Sequence, residues 1–333
     1  MRTATKAIFP RVIDATMRSQ WLTCRHSFYR RHCQGLVHDH ISIHLHFGAC
    51  LAAGLEEARR QFCHGVSPND CTIAAAEYLI KTWGNFNAEP RTRTEKIKTL
   101  DNCILALHDY FKEWPLDTDP IQIYYHNGEP CIEFSAAYPI PGCYHPYERD
   151  PDTGERLPMI YAGRFDMIGD FEHSPWGLDD KSTSAMGNEW AAQWNLRGQF
   201  TGYTWLAQQW GVPIKGFIIR GVQILTNSVK MQPAITPRPP WMVAAWLSQL
   251  QIDVHDMIDS WSLMEPYEHS QWDDPDDPPA HPFNQDFDNG CFSYGRPCQY
   301  MTLCTSPHPE RWENEYIVQY WNPLTRSTET TEG

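Results

Sequence analysis

The chain has 333 residues, of which 41% are hydrophobic, 20% charged and 13% aromatic. This composition excludes disordered, collagen-like and low-complexity proteins, and the length suffices for one large or two modest hydrophobic cores. Acidic residues outnumber basic ones by 41 to 27, and the resulting net charge of −14 argues against a protein that coats nucleic acid nonspecifically.

The charge is distributed unevenly along the chain. Residues 1–100 carry fourteen basic and eight acidic side chains, whereas the remainder carries thirteen basic and thirty-three acidic ones. This asymmetry leaves two readings of the first third open, a phosphate-binding surface and an ordinary solvated helix surface. No run approaches the roughly 18 apolar residues that cross a bilayer, and charged residues interrupt the first twenty positions. We therefore expect a cytoplasmic protein without membrane contact.

Apolar residues recur with helical spacing through the first third of the chain. The spacing predicts helical stretches at 21–36, 47–62, 72–83 and 96–114. Residues 1–118 are accordingly predicted to form a helical N-terminal region.

From residue 121 the pattern changes to alternating, β-rich segments. The predicted strands are IQIYY (121–125), CIEFSAAYPI (131–140), MIYAGRFDMIGDF (159–171), PWGLDDKSTS (175–184) and KGFIIRGVQIL (215–225). A helix is predicted at 189–210, before the last strand, and another at 241–261. This order predicts an α/β (α+β) core over residues 119–262. An acidic, proline-rich connector at 265–290 falls in the C-terminal segment 263–333.

Two aspartates follow each other on neighbouring strands of the predicted core. Asp166 falls within or at the end of one strand and Asp179 on the next, so a hairpin can bring their carboxylates together. Neighbouring carboxylates repel each other unless a cation lies between them. An oxygen-only pair suits Mg²⁺ or Mn²⁺, which acidify water and bind phosphate oxygens. Asp166 and Asp179 are therefore candidate metal ligands.

Three further residues complete this series. Lys181 comes two residues after Asp179, so both side chains point to the same face of a strand. Its ammonium group can hold an attacking water and offset negative charge in a transition state. Gln199 and Tyr203 lie four residues apart on the predicted helix, so they share a face and can donate hydrogen bonds to a phosphate. The alternative for these two is a helix surface pair beside core tryptophans.

The motifs GRFD (163–166), DDKST (179–183) and QFTGY (199–203) resemble those of the RecB-like branch of the PD-(D/E)xK nuclease superfamily. The resemblance implies a restriction-endonuclease-like core, with a mixed central sheet flanked by helices. It also implies that the two aspartates bind the metal, that the lysine serves the nucleophilic water and that the glutamine–tyrosine helix helps to hold DNA. By the same resemblance, the backbone carbonyl of Asp180 and the side chain of Glu133 are further metal ligands.

The cysteine positions extend the resemblance. SQWLTCRHSFYRR (19–31) is similar to the first helix of RecB-like nucleases with an iron–sulfur cluster, such as the AddB type and CRISPR-adaptation nucleases. Those proteins place one cysteine near the start and three near the end. Here Cys24 would join Cys291, Cys298 and Cys304 to supply the four thiolates of a [4Fe–4S] cluster that pins the first helix to the C-terminal segment. The C-x6-C spacing after Cys291 is longer than the C-x2-C of most relatives, which leaves zinc as a competitor.

The resemblance implies a Mg²⁺- or Mn²⁺-dependent DNA nuclease, specifically an exonuclease that acts on DNA ends or single strands. Proteins of this type act in recombination, DNA repair, phage DNA processing and CRISPR adaptation. The resemblance therefore implies a recombination or CRISPR-adaptation protein as partner. For a phage-encoded chain, it implies the host cytoplasm as location. The alternative is a catalytically inactive nucleic-acid-binding or assembly module on the same scaffold. Ala52 motivates this alternative, because many relatives carry a metal-binding histidine at its place.

Overall fold

A computed structural model of the chain describes residues 7–38, 42–87, 89–268, 280–287, 290–293, 296–306 and 308–324. Its helices are α1 (Ala15–Thr23), α2 (Arg25–Phe28), α3 (Ile43–Cys63), α4 (Pro68–Trp83), α5 (Arg93–Lys96), α6 (Leu100–Glu113), α7 (Asn188–Ala192), α8 (Gly198–Gln209), α9 (Pro240–Ser262), α10 (Met264–Glu268) and α11 (Met301–Thr305), with a π-helical turn at Tyr29–Cys33 and 3₁₀ turns at Pro309–Arg311 and Glu313–Glu315. Its strands are β1 (Val12–Ile13), β2 (Leu36–His38), β3 (Gln122–Ile123), β4 (Tyr125–His126), β5 (Glu129–Pro130), β6 (Ile132–Arg149), β7 (Arg156–Phe171), β8 (Ser174–Thr183), β9 (Gly216–Ile224), β10 (Val229–Pro237), β11 (Phe292–Ser293), β12 (Arg296–Pro297) and β13 (Tyr316–Val318).

The chain divides into two compact units. Unit 1 comprises Met1–His40, Ala137–Gly163 and Ala245–Gly333, and unit 2 comprises Ile41–Ala136 and Arg164–Ala244. The predicted acidic series falls in unit 2, and the four predicted cluster cysteines fall in unit 1. The three-part division at residues 118 and 262 stays a prediction. Of the predicted acidic connector, 269–279 and 288–289 lie outside the described residues.

A mixed β-sheet forms the centre of unit 2. The second half of β7 pairs antiparallel with β8, β8 pairs parallel with β9, and β9 pairs antiparallel with β10. Glu172 and His173, with φ of 50° and 59°, form the turn between β7 and β8. Two consecutive positive φ angles are typical of a type I′ hairpin, whose twist matches that of its strands. The ladder ends at Met167 opposite Leu178, so one further step along the same register sets Asp166 across from Asp179.

Helices cover both faces of this sheet. The helices α3, α4 and α6 share a core that includes Leu51, Leu55 and Val222 of β9. On the opposite face α8 packs through Phe200, whose ring lies 4.9 Å from that of Phe217 of β9. Because β9 is covered on both sides, nearly every one of its residues is buried. The predicted α/β architecture, a mixed sheet flanked by helices, is confirmed.

Unit 1 has an aromatic core around its first helix. Asp14 caps α1, because its carboxylate accepts a hydrogen bond of 2.8 Å from the amide of Met17. Trp21 lies edge-on to Phe28 and Phe283, with ring centroids 5.5 and 5.9 Å apart. Residues from both ends of the chain therefore share the core of this unit. No helix in the described ranges has both the length and the apolar character needed to cross a bilayer.

Several elements differ from those predicted, and three of the differences have an identifiable physical cause. The helical stretch predicted at 21–36 starts earlier, at Ala15, and breaks at Cys24. The extended backbone of Cys24 ends α1, and its sulfur caps α2 by accepting a hydrogen bond from the amide of Ser27 at 3.4 Å. The helix predicted at 189–210 is two helices, α7 and α8. Strand β10 is absent from the predictions because it contains Pro233 and Pro237, which it tolerates as an edge strand.

Candidate functional site

Asp179 and Lys181 form an ion pair on one face of β8. Asp179 is 3% exposed, and its Oδ2 lies 2.5 Å from Nζ of Lys181. Burial acts to lower the pKa of Lys181, but the charges of Asp179 and Asp166 raise it above its ordinary value. The structure thus brings together the two aspartates and the lysine that the sequence singled out.

The two aspartates disfavour each other's charged form. Burial raises the pKa of Asp179 to about 7. The charge of Asp166 also raises this pKa, whereas the charge of Lys181 lowers it. Burial also raises the pKa of Asp166, although the charge of Lys181 opposes the shift. A divalent cation between the buried carboxylate of Asp179 and the partly buried carboxylate of Asp166 would offset the repulsion between them. Their oxygen chemistry fits Mg²⁺ or Mn²⁺.

The side chain of Asp180 points away from this pair. Its carboxylate accepts hydrogen bonds from Nη2 of Arg59 at 2.6 Å and from the hydroxyl of Tyr110 at 2.7 Å. Its amide donates to Oδ2 of Asp166 at 3.2 Å. Because side chains alternate along a strand, the carboxylate lies on the face opposite Asp179. The predicted ligand role of Asp180 is therefore left to its backbone carbonyl.

Glu133 is buried beside Asp166 and bound by a cation. Nε of Arg164 donates to the carboxylate of Glu133 at 2.6 Å, and its guanidinium also lies 3.8 Å from Glu56 of α3. Burial raises the pKa of Glu133 to about 8. The charge of Asp166 also raises this pKa, whereas the charge of Arg164 lowers it. The φ of Glu133 is +45°, which is uncommon outside glycine. Arg164 and Glu56 are absent from the predicted site, although Arg164 stands inside GRFD and Glu56 lies one helical turn after Ala52.

Helix α8 places Tyr203 beside the ion pair. Tyr203 is 8% exposed, its ring lies 5.1 Å from that of Phe165, and it interacts electrostatically with Lys181. Gln199 is half-buried one turn earlier on the same helix face. Of the predicted helix pair, the tyrosine therefore lies next to the lysine, and the glutamine precedes it on the helix.

Arg238 anchors the start of α8. Its Nε donates to Oγ1 of Thr201 at 2.9 Å, and its Nη2 donates to the carbonyl of Trp194 at 2.7 Å. Arg238 is 3% exposed, and burial lowers its pKa to about 10. This buried guanidinium fixes the helix that carries Tyr203 against the end of β10.

Four cysteines line one cavity in unit 1. Cys24, Cys291, Cys298 and Cys304 surround a volume of about 70 Å³, and none of them is in a disulfide. The amide of Cys298 donates to the carbonyl of Cys291 at 2.7 Å. Burial raises the pKa of Cys304 to about 11, and the other three cysteines contribute to the shift. The structure thus brings together all four cysteines predicted from the sequence.

A glycine allows the C-terminal segment to approach Cys24 closely. A Cβ atom at Gly290 would lie 2.8 Å from Cβ of Cys24 and 3.0 Å from the carbonyl of Thr23. Cys298 and Cys304 in turn pack against a small core that includes Tyr300. Four thiols from both ends of the chain therefore line the same cavity.

Comparison with protein-family models gives no match for this chain, and comparison with curated proteins gives none either. Among the His, Cys, Asp and Glu side chains of the described ranges, no three or more are grouped in a way that could hold a metal ion. In unit 2 the acids are paired with cations of the protein itself, Asp179 with Lys181 and Glu133 with Arg164.

Proposed function

We propose that the chain is a Mg²⁺- or Mn²⁺-dependent deoxyribonuclease of the RecB-like type, an exonuclease that acts on DNA ends or single strands. The observation that carries this proposal is the meeting of Asp166, Asp179 and Lys181 on neighbouring strands joined by a hairpin. Two aspartates that disfavour each other's charge, beside an ammonium group, are a chemical arrangement suited to phosphodiester hydrolysis. The β7–β8 hairpin followed by α8 supports a restriction-endonuclease-like core.

Each residue has a distinct part in the proposed reaction. Asp166 and Asp179 would hold the divalent cation, with the carbonyl of Asp180 and Glu133 as further ligands. The cation supplies acidification of water and stabilisation of charge on phosphorus. Lys181 would exchange its contact with Asp179 for one with the attacking water.

The substrate is held by the helix beside this centre. Tyr203, next to Lys181, would donate a hydrogen bond to a backbone phosphate, and Gln199 would do the same one turn earlier. Phosphate contacts of this kind position DNA without reading its sequence. DNA ends or single strands are accordingly the proposed substrate, and a recombination or CRISPR-adaptation protein is the proposed partner.

We further propose that Cys24, Cys291, Cys298 and Cys304 hold a [4Fe–4S] cluster that ties the first helix to the C-terminal segment. Their cavity, about 70 Å³, is several times the roughly 10–15 Å³ that one water-sized sphere occupies. Four thiolates are the ligand set of a [4Fe–4S] cluster and also of a structural zinc ion. Anaerobic purification decides between them, because a brown protein with about four iron atoms supports the cluster and a colourless zinc protein supports the competitor.

The activity is tested by digestion of end-labelled single- and double-stranded DNA, with Mg²⁺ or Mn²⁺ titrated and EDTA as the control. The proposal predicts metal-dependent release of labelled products whose ends reveal polarity. DNA binding without degradation under every metal condition would instead support the inactive binding module. Ala52 gives a chemical reason for that outcome. It stands where many relatives carry a metal-binding histidine, and the loss of a ligand weakens a metal site.

A further inference from the structure

A buried polar network lies behind the acidic pair in unit 2. It consists of Arg59 of α3, Tyr110 of α6, Asp119, Asp180 of β8 and Arg220 of β9. The hydroxyl of Tyr110 accepts from Nη2 of Arg59 at 2.9 Å and from Nη1 of Arg220 at 3.1 Å, and it donates to Asp180. Arg220 also donates to both carboxylate oxygens of Asp119, at 2.7 and 2.5 Å. The network therefore joins three elements to the strand that carries the site.

The charges of this network are balanced. Two guanidinium groups face two carboxylates, and Arg59 and Arg220 are only 3% and 2% exposed. Buried charges are tolerated only where pairing and hydrogen bonds compensate for lost solvation. The loss of any member would leave a buried partner uncompensated, so the arrangement holds each side chain in a fixed place.

We propose that Arg59 and Tyr110 are positioning residues of the nuclease site, which act by holding Asp180. The inference rests on the proposed function. Asp180 lies between Asp179 and Lys181, and it is held on the opposite face of β8, so its anchoring orients both neighbours towards the site. Its amide also donates to Asp166 at 3.2 Å. One anchored residue therefore sets the orientation of all three groups.

Two conservative variants test this role. Tyr110→Phe removes the hydroxyl that binds Asp180, and Asp180→Asn keeps the shape of the side chain but removes its charge. The measurements are kcat and KM for DNA digestion and, separately, Mn²⁺ affinity by titration calorimetry. Both variants are expected to lower kcat and Mn²⁺ affinity about tenfold or more, the usual effect of losing a supporting residue, while KM for DNA stays unchanged.

Leu107→Ala is the matched control. Leu107 is buried one turn before Tyr110 on the same helix, and its apolar side chain makes none of the hydrogen bonds of the network. This variant should keep the wild-type kcat and Mn²⁺ affinity at temperatures where it is folded. The proposal is overturned if Tyr110→Phe and Asp180→Asn keep both quantities, or if Leu107→Ala loses as much.

A wild-type chain that binds Mn²⁺ but degrades no DNA contradicts the proposed function alone, and the Mn²⁺ measurements then decide the positioning role. A wild-type chain that does neither contradicts both.

Discussion

At the scale of the residue, Asp179 combines burial with a like-charged neighbour. Burial raises its pKa to about 7; the charge of Asp166 adds to the increase, and the charge of Lys181 opposes it. An aspartate in an unfolded chain has a pKa of about 3.9. Between these values the folded chain binds a proton that the unfolded chain releases. The stability that this group contributes is therefore present at low pH and lost as pH rises from about 4 to about 7.

Asp179→Asn should separate activity from stability. The amide cannot replace a carboxylate ligand, so DNA cleavage is expected to fall at least about a hundredfold, beyond the effect of losing a supporting residue. The variant no longer carries the unfavourable buried charge, so its melting temperature above pH 7 should equal or exceed that of the wild type. Activity is measured by DNA digestion, and stability is measured by circular dichroism.

Asp170→Asn is the matched control for that change, because Asp170 lies on the other strand of the same hairpin, β7, four residues beyond Asp166, and pairs with Pro175 of β8. It should keep full activity. A stable Asp179→Asn protein with undiminished cleavage would contradict the assignment of Asp179.

Metal binding should release protons at mildly acidic pH. With a pKa of about 7 for Asp179 and about 8 for Glu133, both groups are protonated below these values and must lose their protons to bind a cation. Mg²⁺ or Mn²⁺ affinity is therefore expected to rise with pH and to level off above about 8. Calorimetric titration in two buffers of different ionisation enthalpy measures the protons released. Equal affinity at pH 6 and pH 9, without proton release, would contradict these ligands.

Local spacing predicted only part of the site. Asp179 and Lys181 were expected on one face because alternation is a property of the strand itself. The partners of Asp180, in contrast, are Arg59 and Tyr110, which lie 121 and 70 residues away in the chain. No local pattern indicates such contacts, so the network behind the site emerges only from the fold.

At the scale of the element, helix continuity was overridden by tertiary contacts. The carbonyl of Trp194 accepts from Arg238 at 2.7 Å and from the hydroxyl of Thr236 at 3.3 Å. In a continuous helix this carbonyl would accept a hydrogen bond from the amide four residues later. Here it accepts from Arg238 and Thr236 instead, and α8 begins only at Gly198. Apolar periodicity identified both halves of the predicted helix at 189–210, but the break depends on residues some forty positions later.

The packing of α8 against the sheet can be tested at a glycine of β8. A Cβ at Gly177 would lie 2.3 Å from the ring of Phe217, so Gly177→Ala should lower the free energy of unfolding by about 1–3 kcal/mol through overpacking. Urea denaturation measures the change. Because Phe217 supports Tyr203, with ring centroids 6.1 Å apart, DNA cleavage should fall in the same variant.

Gly48→Ala provides the contrasting control. Gly48 lies within α3, and the nearest atom to its added Cβ would be Oγ of Ser182, at an ordinary distance of 3.7 Å. The substitution should raise the free energy of unfolding by up to about 1 kcal/mol, since alanine favours a helix over glycine. Equal effects of the two substitutions would contradict the close packing at Gly177.

At the scale of the whole molecule, four cysteines from distant parts of the chain line one cavity. Cys24→Ser should remove iron from the anaerobically purified protein and lower its melting temperature, because a crosslink between distant residues restricts the unfolded chain. Iron analysis and thermal denaturation measure the two effects. Cys33→Ala, which changes a buried cysteine outside the cavity, should keep its iron. Full iron content in Cys24→Ser would contradict the proposed ligand set.

Buried histidines should make unit 1 sensitive to acid. Burial lowers the pKa of His26 and His32 to about 3, against about 6.5 in an unfolded chain. Between these values the unfolded chain binds protons that the folded chain excludes, so stability is lost as pH falls. From pH 6.5 to pH 5 each histidine accounts for roughly 2 kcal/mol.

His32→Gln should therefore flatten the dependence of unfolding free energy on pH between about 5 and 6.5, as measured by urea denaturation at several pH values. His108→Gln is the control, because the side chain of His108 is 67% exposed and the slope should stay that of the wild type. An unchanged slope in His32→Gln would contradict the burial of a neutral His32.

The most direct measurement is anomalous scattering from crystals soaked in Mn²⁺. The proposed nuclease site predicts a peak bounded by the carboxylates of Asp166 and Asp179, and no such peak in crystals of Asp179→Asn. Crystals that take up Mn²⁺ elsewhere, with nothing between these two carboxylates, would contradict the assignment of the site.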